Sequence, residues 1–423
     1  MTGLDRNNHP CFNEHAKGAC GRVHLPVAAD CNIKCNYCNR KYDCVNESRP
    51  GVTSSVLSPD QAVRYLERVL TEAPNITVAG IAGPGDAFAK PRVTIETLGR
   101  VRKRFPDILL CLATNGLNIG PYIDELGDLD VSHVTMTVNA VDPEIGSHIY
   151  GWVRDGKVVR RGIDAAKLLM AKQIDAIRAL KAHGILVKVN TIVIPGINDH
   201  HVPAVAKKMA DLGVDIQNCM TMYPNRGTPF EHIPEPDSRL MAEVRSKVEG
   251  LIPQMKHCTR CRADAVGLLD DDRSSAFRSC LSECSHTYEI RDAGKPYVAV
   301  ATLEGVLVNQ HLGEADRFQI WGPSQGGYVL VEERRAPERG TGISRWYALA
   351  EVLSDCRAVL VSGIGETPAQ VLTEHRIMPV EMSGFIQAAL RAVYGGEDTA
   401  VFKGRRQPCG KAAGCPGTGL GCG

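Results

Sequence analysis

The chain lacks a charge imbalance: 49 lysines and arginines stand against 48 aspartates and glutamates, a formal net charge of +1. That balance gives no electrostatic reason to expect a nucleic-acid or membrane-surface partner. It also lacks any apolar run near the roughly 20 residues that a bilayer-spanning helix needs. The opening MTGLDRNNHP has no hydrophobic signal-peptide core, so a cytoplasmic location is expected. There is no long internal repeat and no obvious flavin or nicotinamide motif. The remaining proportions, 43% hydrophobic and 23% charged, are ordinary for a globular protein. At 423 residues the chain is long enough for two domains, each with its own core.

Against these absences stand 16 cysteines. In a reducing compartment they do not read as a disulfide framework, so metal ligation becomes the leading explanation. Six of them, Cys11, Cys20, Cys31, Cys35, Cys38 and Cys44, crowd the N-terminal part, and others come in close pairs. Structural cysteines would be scattered more evenly.

From His24 to about Lys256, apolar runs alternate with amphipathic helical patterns. VHLPVA, NITVAGIAG, ILLCLATNG, VSHVTMTVNA, ILVKVNTIVIPG and DIQNCMTMYP read as six strands, each followed by a helix. The expected fold is α/β: a parallel sheet closed into a partial barrel of six βα units. Active sites in such folds lie at the carboxyl ends of the strands. The expected organisation is an N-terminal ligating segment (1–23), the barrel with its C-terminal extension (24–269), a polar linker (270–295), a small α/β domain (296–396) and a Gly/Cys-rich flexible tail (397–423).

DCNIKCNYCNR places Cys31, Cys35 and Cys38 in a C-x3-C-x2-C spacing directly after the first strand. Such a loop can present three thiolates to three irons of a [4Fe–4S] cluster and leave the fourth iron open. The amino and carboxylate groups of S-adenosylmethionine (SAM) can chelate that iron. A zinc site usually closes with four ligands from paired motifs, and this triplet has no adjacent fourth partner of that kind. Placed after strand one of a six-unit βα pattern, the triplet resembles the radical SAM superfamily. Tyr37 suits a side chain lying over the cluster or adenine. Further SAM contacts are expected from GIAGPGDAF (Gly80, Gly83, Gly85, Asp86), from Thr114 and Asn115 after the third strand, and from Asn190, a candidate ribose ligand. Each alone could be a turn glycine or a strand-end cap.

Six more donors remain: Cys11, His24, Cys44, Cys111, and the Cys258/Cys261 pair of HCTRCRADAVG. A C-x2-C pair is a good half-site for metal, whereas a lone strand cysteine or a lone histidine is commonly structural. The strings HPCF, HLPVAADCNIKCNYCNRKYDCVNESRPGV, GIAGPGD, CLATNGL and CRADAVGLL, in order from about residue 9 to 269, resemble the NifB family of nitrogenase cofactor biosynthesis proteins. That resemblance implies a synthase that fuses two [4Fe–4S] clusters into an eight-iron cluster with a central carbide and an added sulfur. SAM would serve first as methyl donor and then as radical source. It further implies His24, Cys44 and Cys111 as ligands of one precursor cluster, and Cys11, Cys258 and Cys261 as ligands of the other, which takes the methyl group on a sulfide. Glu47 and Arg49 are the implied catalytic residues. The implied partners are a ferredoxin or flavodoxin, an iron–sulfur cluster donor, and a downstream carrier or scaffold for the product. Two rival readings are a radical SAM enzyme acting on an organic substrate, with structural auxiliary clusters, and an iron–sulfur scaffold that does not use SAM.

From about Pro296 to Gly396 the strings VAVATLEGVLVNQHLGEADRFQIW and SRWYALAEVLSDCRAVLVSGIG resemble the NifX/NafY-type cofactor-binding domain, a small ribonuclease H-like fold. His311 is its candidate cluster contact. The Cys280/Cys284 pair in the expected linker and Cys409, Cys415 and Cys422 in the tail could bind metal or be incidental. Cys20 and Cys219 are read as ordinary.

Overall fold

The computed structural model describes residues 5–44, 46, 52–53, 55–258, 261–286, 294–324 and 327–395. Two compact units divide the chain, Met1–Ser285 and His286–Gly423.

The first unit opens with β1 (Gly21–His24), β2 (Ile33–Cys35) and α1 (Pro59–Glu72), then β3 (Ile76–Ile81), α2 (Pro91–Arg104) and β4 (Leu109–Thr114). Next come α3 (Ile123–Asp128), β5 (Val131–Thr137), α4 (Pro143–Ile149), β6 (Tyr150–Asp155), β7 (Val158–Arg160) and α5 (Gly162–Ala182). The unit closes with β8 (Leu186–Val193), α6 (Val202–Asp211), β9 (Ile216–Thr221), α7 (Ser238–Val248), β10 (Val266–Gly267) and α8 (Arg278–His286). The main sheet runs β10-β1-β3-β4-β5-β8-β9. Its six expected strands are parallel and in the expected order; β10 adds to the β1 edge antiparallel. The sheet curls into a half-barrel, as expected.

Helices cover its outer face because their apolar residues recur at helical spacing. In α1, Ala62, Tyr65, Leu66 and Val69 form one buried stripe. Ser58 and Gln61 close a capping box at its start, with Pro59 in the first turn. The inner face is different. On β4 Cys111 and Ala113, on β5 His133, Thr135 and Thr137, and on β8 Lys188 and Asn190 alternate with apolar neighbours that face the helices. The barrel interior is therefore polar and sulfur-bearing.

The expected linker from 270 is corrected in its first part. Residues 278–286 are helical, and Phe277, Cys280, Leu281 and Cys284 are buried in the barrel's outer core. These four form a single helical stripe among serines, arginine and glutamate, so the mean polarity of the stretch concealed it. Residues 287–293 lie outside the described residues, as do Cys409, Cys415 and Cys422.

The second unit has β11 (Tyr297–Val300), β12 (Leu307–Val308), β13 (Arg317–Ser324), β14 (Gly327–Arg335), α9 (Ile343–Val352), β15 (Cys356–Val361), α10 (Glu366–Glu374), β16 (Met378–Glu381), β17 (Gly384–Phe385) and α11 (Ile386–Gly395). Its five-stranded sheet runs β14-β13-β11-β15-β16. Alternation along β11 sends Ala299 to a core with Trp346, Leu349 and Val371 of α9 and α10. Val298 and Val300 go to one with Ile386, Leu390 and Val393 of α11. Both faces are thus covered, in the small α/β fold expected of this segment.

Candidate active site

Register partners in parallel strands point to the same side of a sheet. His24 of β1 pairs with Gly80 of β3, and Gly80 with Cys111 of β4. A Cβ on Gly80 would lie 2.7 Å from Cys111 Sγ and 3.3 Å from the His24 ring, so only glycine leaves room for both. His24 and Cys111 line a cavity inside the barrel, together with Cys11, Cys258 and Cys261. Five of the six extra ligands therefore converge. The sixth, Cys44, lines the neighbouring cavity instead.

Specific contacts hold several of these candidates. His24 Nδ1 lies 2.8 Å from the Arg262 carbonyl, which can only accept, so Nδ1 carries the proton and Nε2 keeps its lone pair. Arg22, two residues back and on the same face, donates from Nε and Nη2 to Cys261 Sγ at 3.2 and 3.0 Å. Its Nη1 donates to the carbonyls of Gly267 and Leu268. Cys11 is carried in by the N-terminal segment, whose Pro10 carbonyl accepts from His257 at 2.9 Å. Below it the rings of His9, Phe12 and His133 pack edge-on or tilted against one another, with Lys188 Nζ 5.5 Å from the Phe12 ring centroid.

Burial drives the ionisation of this cavity. It pushes the Cys11 thiol up to about 11, against the pull of Lys188. It lowers His24 to about 4, helped by Arg22. Burial thus favours the neutral imidazole of His24 and the protonated thiol of Cys11. Metal binding displaces the thiol protons.

The triplet lines an adjoining cavity with Cys44, Asp86, Thr114 and Asn115. Cys35 and Cys38 are buried, and Cys38 N–H donates to the Cys35 carbonyl at 3.0 Å. Burial, with Asp86 nearby, raises Cys31 to about 12. Burial also raises Cys35 and Cys38. Ala113 lines both cavities, and Thr135 and Thr137, two apart on β5, line one each. At about 3.3 Å per residue, the levels of Cys111 and Asn115 are some 13 Å apart along the strand. The two chambers are stacked along the barrel.

Several expected SAM contacts turn out to shape the chamber. Gly85 lines the triplet cavity, and a Cβ there would land 2.0 Å from the Asp30 carbonyl oxygen, so glycine also lets the loop that leads into Cys31 pass close by. Gly83 has φ +126°, and its carbonyl accepts from Ala28 N–H; it is not among the lining residues. The Asp86 carboxylate accepts from Asn115 N–H at 2.6 Å, Phe88 N–H at 2.9 Å and the Thr114 hydroxyl at 3.1 Å, tying the ends of β3 and β4 together. Tyr37 is fully buried, its hydroxyl donating to Asn46 at 2.6 Å and accepting from Asn139 at 2.7 Å. Asn190 lines the lower chamber and donates to the Asn46 carbonyl at 3.0 Å. Glu47 and Arg49 lie outside the described residues.

Arg22, His9, His133 and Lys188 escaped the sequence reading. Buried polar groups on a strand look like surface residues until the inner face is identified. The signal was present in β1, where Arg22 shares the parity of His24. In the second unit His311 Nδ1 accepts from Gly313 N–H at 3.1 Å, and its ring packs on Gly363.

Among the described residues no three His, Cys, Asp or Glu side chains could hold a single metal ion. The donors instead ring two adjoining cavities, and sulfur-rich sets spread in this way suit polynuclear iron–sulfur clusters. The radical SAM superfamily matches residues 25–209, and a family described as dinitrogenase iron-molybdenum cofactor matches residues 294–396. The chain is 50% identical, over 99% of its length and 99% of the relative's, to the FeMo cofactor biosynthesis protein NifB of Chlorobaculum tepidum. The chain belongs to the NifB family. It is also 41% identical to the NifB of Klebsiella pneumoniae, over 88% of this chain and 86% of that one. Among solved structures a methylornithine synthase aligns with a TM-score of 0.41 at 14% identity, covering 57% of this chain and 66% of that one, a likeness too weak to argue from. As a NifB-family protein with a radical SAM domain, the chain is a radical SAM enzyme of FeMo cofactor biosynthesis that uses a [4Fe–4S] cluster and SAM. No helix among the described residues is long and apolar enough to cross a membrane.

Proposed function

We propose that the chain binds SAM at the triplet chamber and, in the chamber beneath it, converts two [4Fe–4S] substrate clusters into one eight-iron cluster with a carbide derived from a SAM methyl group and an added sulfur. The observation that carries this reading is the stacking of the two chambers: a triplet chamber directly above one that gathers Cys11, His24, Cys111, Cys258 and Cys261. When bound, the triplet's cluster supplies the electron that cleaves SAM reductively.

The chain's own residues do the rest by placement. Cys31, Cys35 and Cys38 hold the cluster that chelates SAM. Asp86 fixes Thr114 and Asn115 at the mouth of β4, which orients the chamber wall beside the triplet. His24 and Cys111 flank Gly80 and take one substrate cluster, with Cys44 of the adjoining triplet chamber as its third ligand; Cys11, Cys258 and Cys261 take the other. Arg22 orients the Cys261 sulfur through two hydrogen bonds from its guanidinium. Three protein ligands per substrate cluster leave an open iron on each, as clusters that must fuse and then leave require. Glu47 is the candidate transient ligand or proton carrier, and Arg49 is a further candidate site residue. A ferredoxin or flavodoxin would supply electrons, an iron–sulfur donor the substrate clusters, and a downstream carrier would take the product. The second unit would hold product or precursor, with His311 as its contact.

Iron and acid-labile sulfide in the anaerobically reconstituted chain test this. About twelve irons per chain correspond to three [4Fe–4S] clusters, falling by about four when either substrate set is replaced by alanine. About four irons, insensitive to those changes, would leave a radical SAM enzyme acting on something else.

A further inference from the structure

The floor of the lower chamber carries a group that nothing above uses. His9 is 2% exposed and lines the chamber beside Cys11. Its Nδ1 accepts the Cys11 backbone N–H at 3.2 Å. A ring nitrogen that accepts cannot carry the proton, so the proton sits on Nε2. That Nε2 is buried and has no hydrogen-bond partner. Buried polar groups are nearly always satisfied, so an orphaned donor in a chamber wall calls for an acceptor supplied by a ligand.

The ring is not free to seek a partner elsewhere. It sits against Phe12, with centroids 4.9 Å apart, and against His133, 4.3 Å apart. The His9 carbonyl accepts from the N–H groups of Phe12 and Asn13 at 3.1 and 3.0 Å, closing the HPCF segment into a turn. The same turn that delivers the Cys11 thiol thus fixes an N–H donor two residues away. An iron–sulfur cluster bound there offers sulfide as its acceptor.

We propose that His9 is a binding residue for the substrate cluster held by Cys11, Cys258 and Cys261, its Nε2–H donating a hydrogen bond to a sulfide of that cluster. This rests on the ligand set proposed above. The bond holds one face of the cluster in a set orientation, and by drawing charge from the sulfide it makes the cluster easier to reduce.

The test uses the full chain with Cys31, Cys35 and Cys38 replaced by alanine, reconstituted anaerobically and titrated potentiometrically with detection by electron paramagnetic resonance. The relevant signal is the one that Cys258→Ala removes. His9→Phe keeps a flat ring and loses the donor; His9→Gln restores an N–H near the Nε2 position. The proposal expects a more negative midpoint potential in His9→Phe and a return toward the parent value in His9→Gln. Loss of the cluster in His9→Phe with retention in His9→Gln supports it equally. An unchanged potential in His9→Phe overturns it, as does loss of the cluster in both variants, which would make His9 a packing residue. If Cys258→Ala removes no signal at all, the ligand set itself is wrong and the proposal falls with it.

Discussion

Arg22 holds Cys261 Sγ with two nitrogens, Nε at 3.2 Å and Nη2 at 3.0 Å, while Nη1 is bonded to the carbonyls of Gly267 and Leu268. One planar guanidinium therefore fixes both a ligand and the backbone after it, which lysine cannot imitate. Arg22→Lys is expected to lower bound iron by about four per chain, one [4Fe–4S] cluster. Arg22→Met should also destabilise the barrel by about 2–4 kcal/mol, because two buried carbonyls lose a charged donor. Iron analysis and thermal unfolding of the cluster-free chain check the two parts.

Gly80 separates His24 from Cys111. In Gly80→Ala the new Cβ falls 2.7 Å from Cys111 Sγ, so the sulfur must leave its position. The expected outcome is loss of product with reductive SAM cleavage at the triplet retained. Deoxyadenosine release measured beside product yield checks it; loss of both together would place Gly80 in the SAM chamber.

Gly85 predicts the opposite pattern. Its Cβ would sit 2.0 Å from the Asp30 carbonyl oxygen and 2.6 Å from its carbon, both backbone atoms. Gly85→Ala must displace the loop leading into Cys31, at a cost of about 1–3 kcal/mol or more. SAM cleavage should disappear, while the iron bound by Cys11, Cys258 and Cys261 remains.

The cluster-free chain should be most stable between about pH 6.5 and 9. Burial lowers His24 from its ordinary 6.5 to about 4, and burial with Arg6 and Lys188 lowers His133 to about 3. A depressed pKa contributes stability that is present above 6.5 and lost as pH falls through the folded value. Burial raises the Cys11 and Cys31 thiols from 9.0 to about 11 and about 12. A raised pKa contributes stability that is present below 9 and lost as pH rises toward the folded value. The melting temperature should therefore fall on both sides. In the loaded chain the alkaline loss should vanish, because iron has replaced the thiol protons.

The main architecture was readable because each strand carries an apolar run and each helix an apolar stripe. The triplet was readable because its ligands are neighbours in sequence. What escaped is what depends on which face of a strand turns inward. Arg22, His133 and Lys188 are each followed by a valine on β1, β5 and β8 and read as tolerated polar positions. The small sheet β2-β6-β7 escaped as well. β7 is exposed along its length and lacks the buried pattern that marks a strand. Gly85 was read as a place for ligand to approach; it lines the triplet cavity and also admits the Asp30 backbone, and no local pattern announces that second contact.

The central claim is that the lower chamber is where a SAM-derived carbon enters an iron–sulfur cluster. The direct measurement is to give reconstituted chain SAM labelled in its methyl carbon, with reductant, and to follow the label. Label in an extractable iron–sulfur cluster, absent in Cys11→Ala and Cys258→Ala while both variants still cleave SAM, is the predicted result. Label confined to a methylated small molecule, or a labelled cluster formed equally well by both variants, would contradict the account.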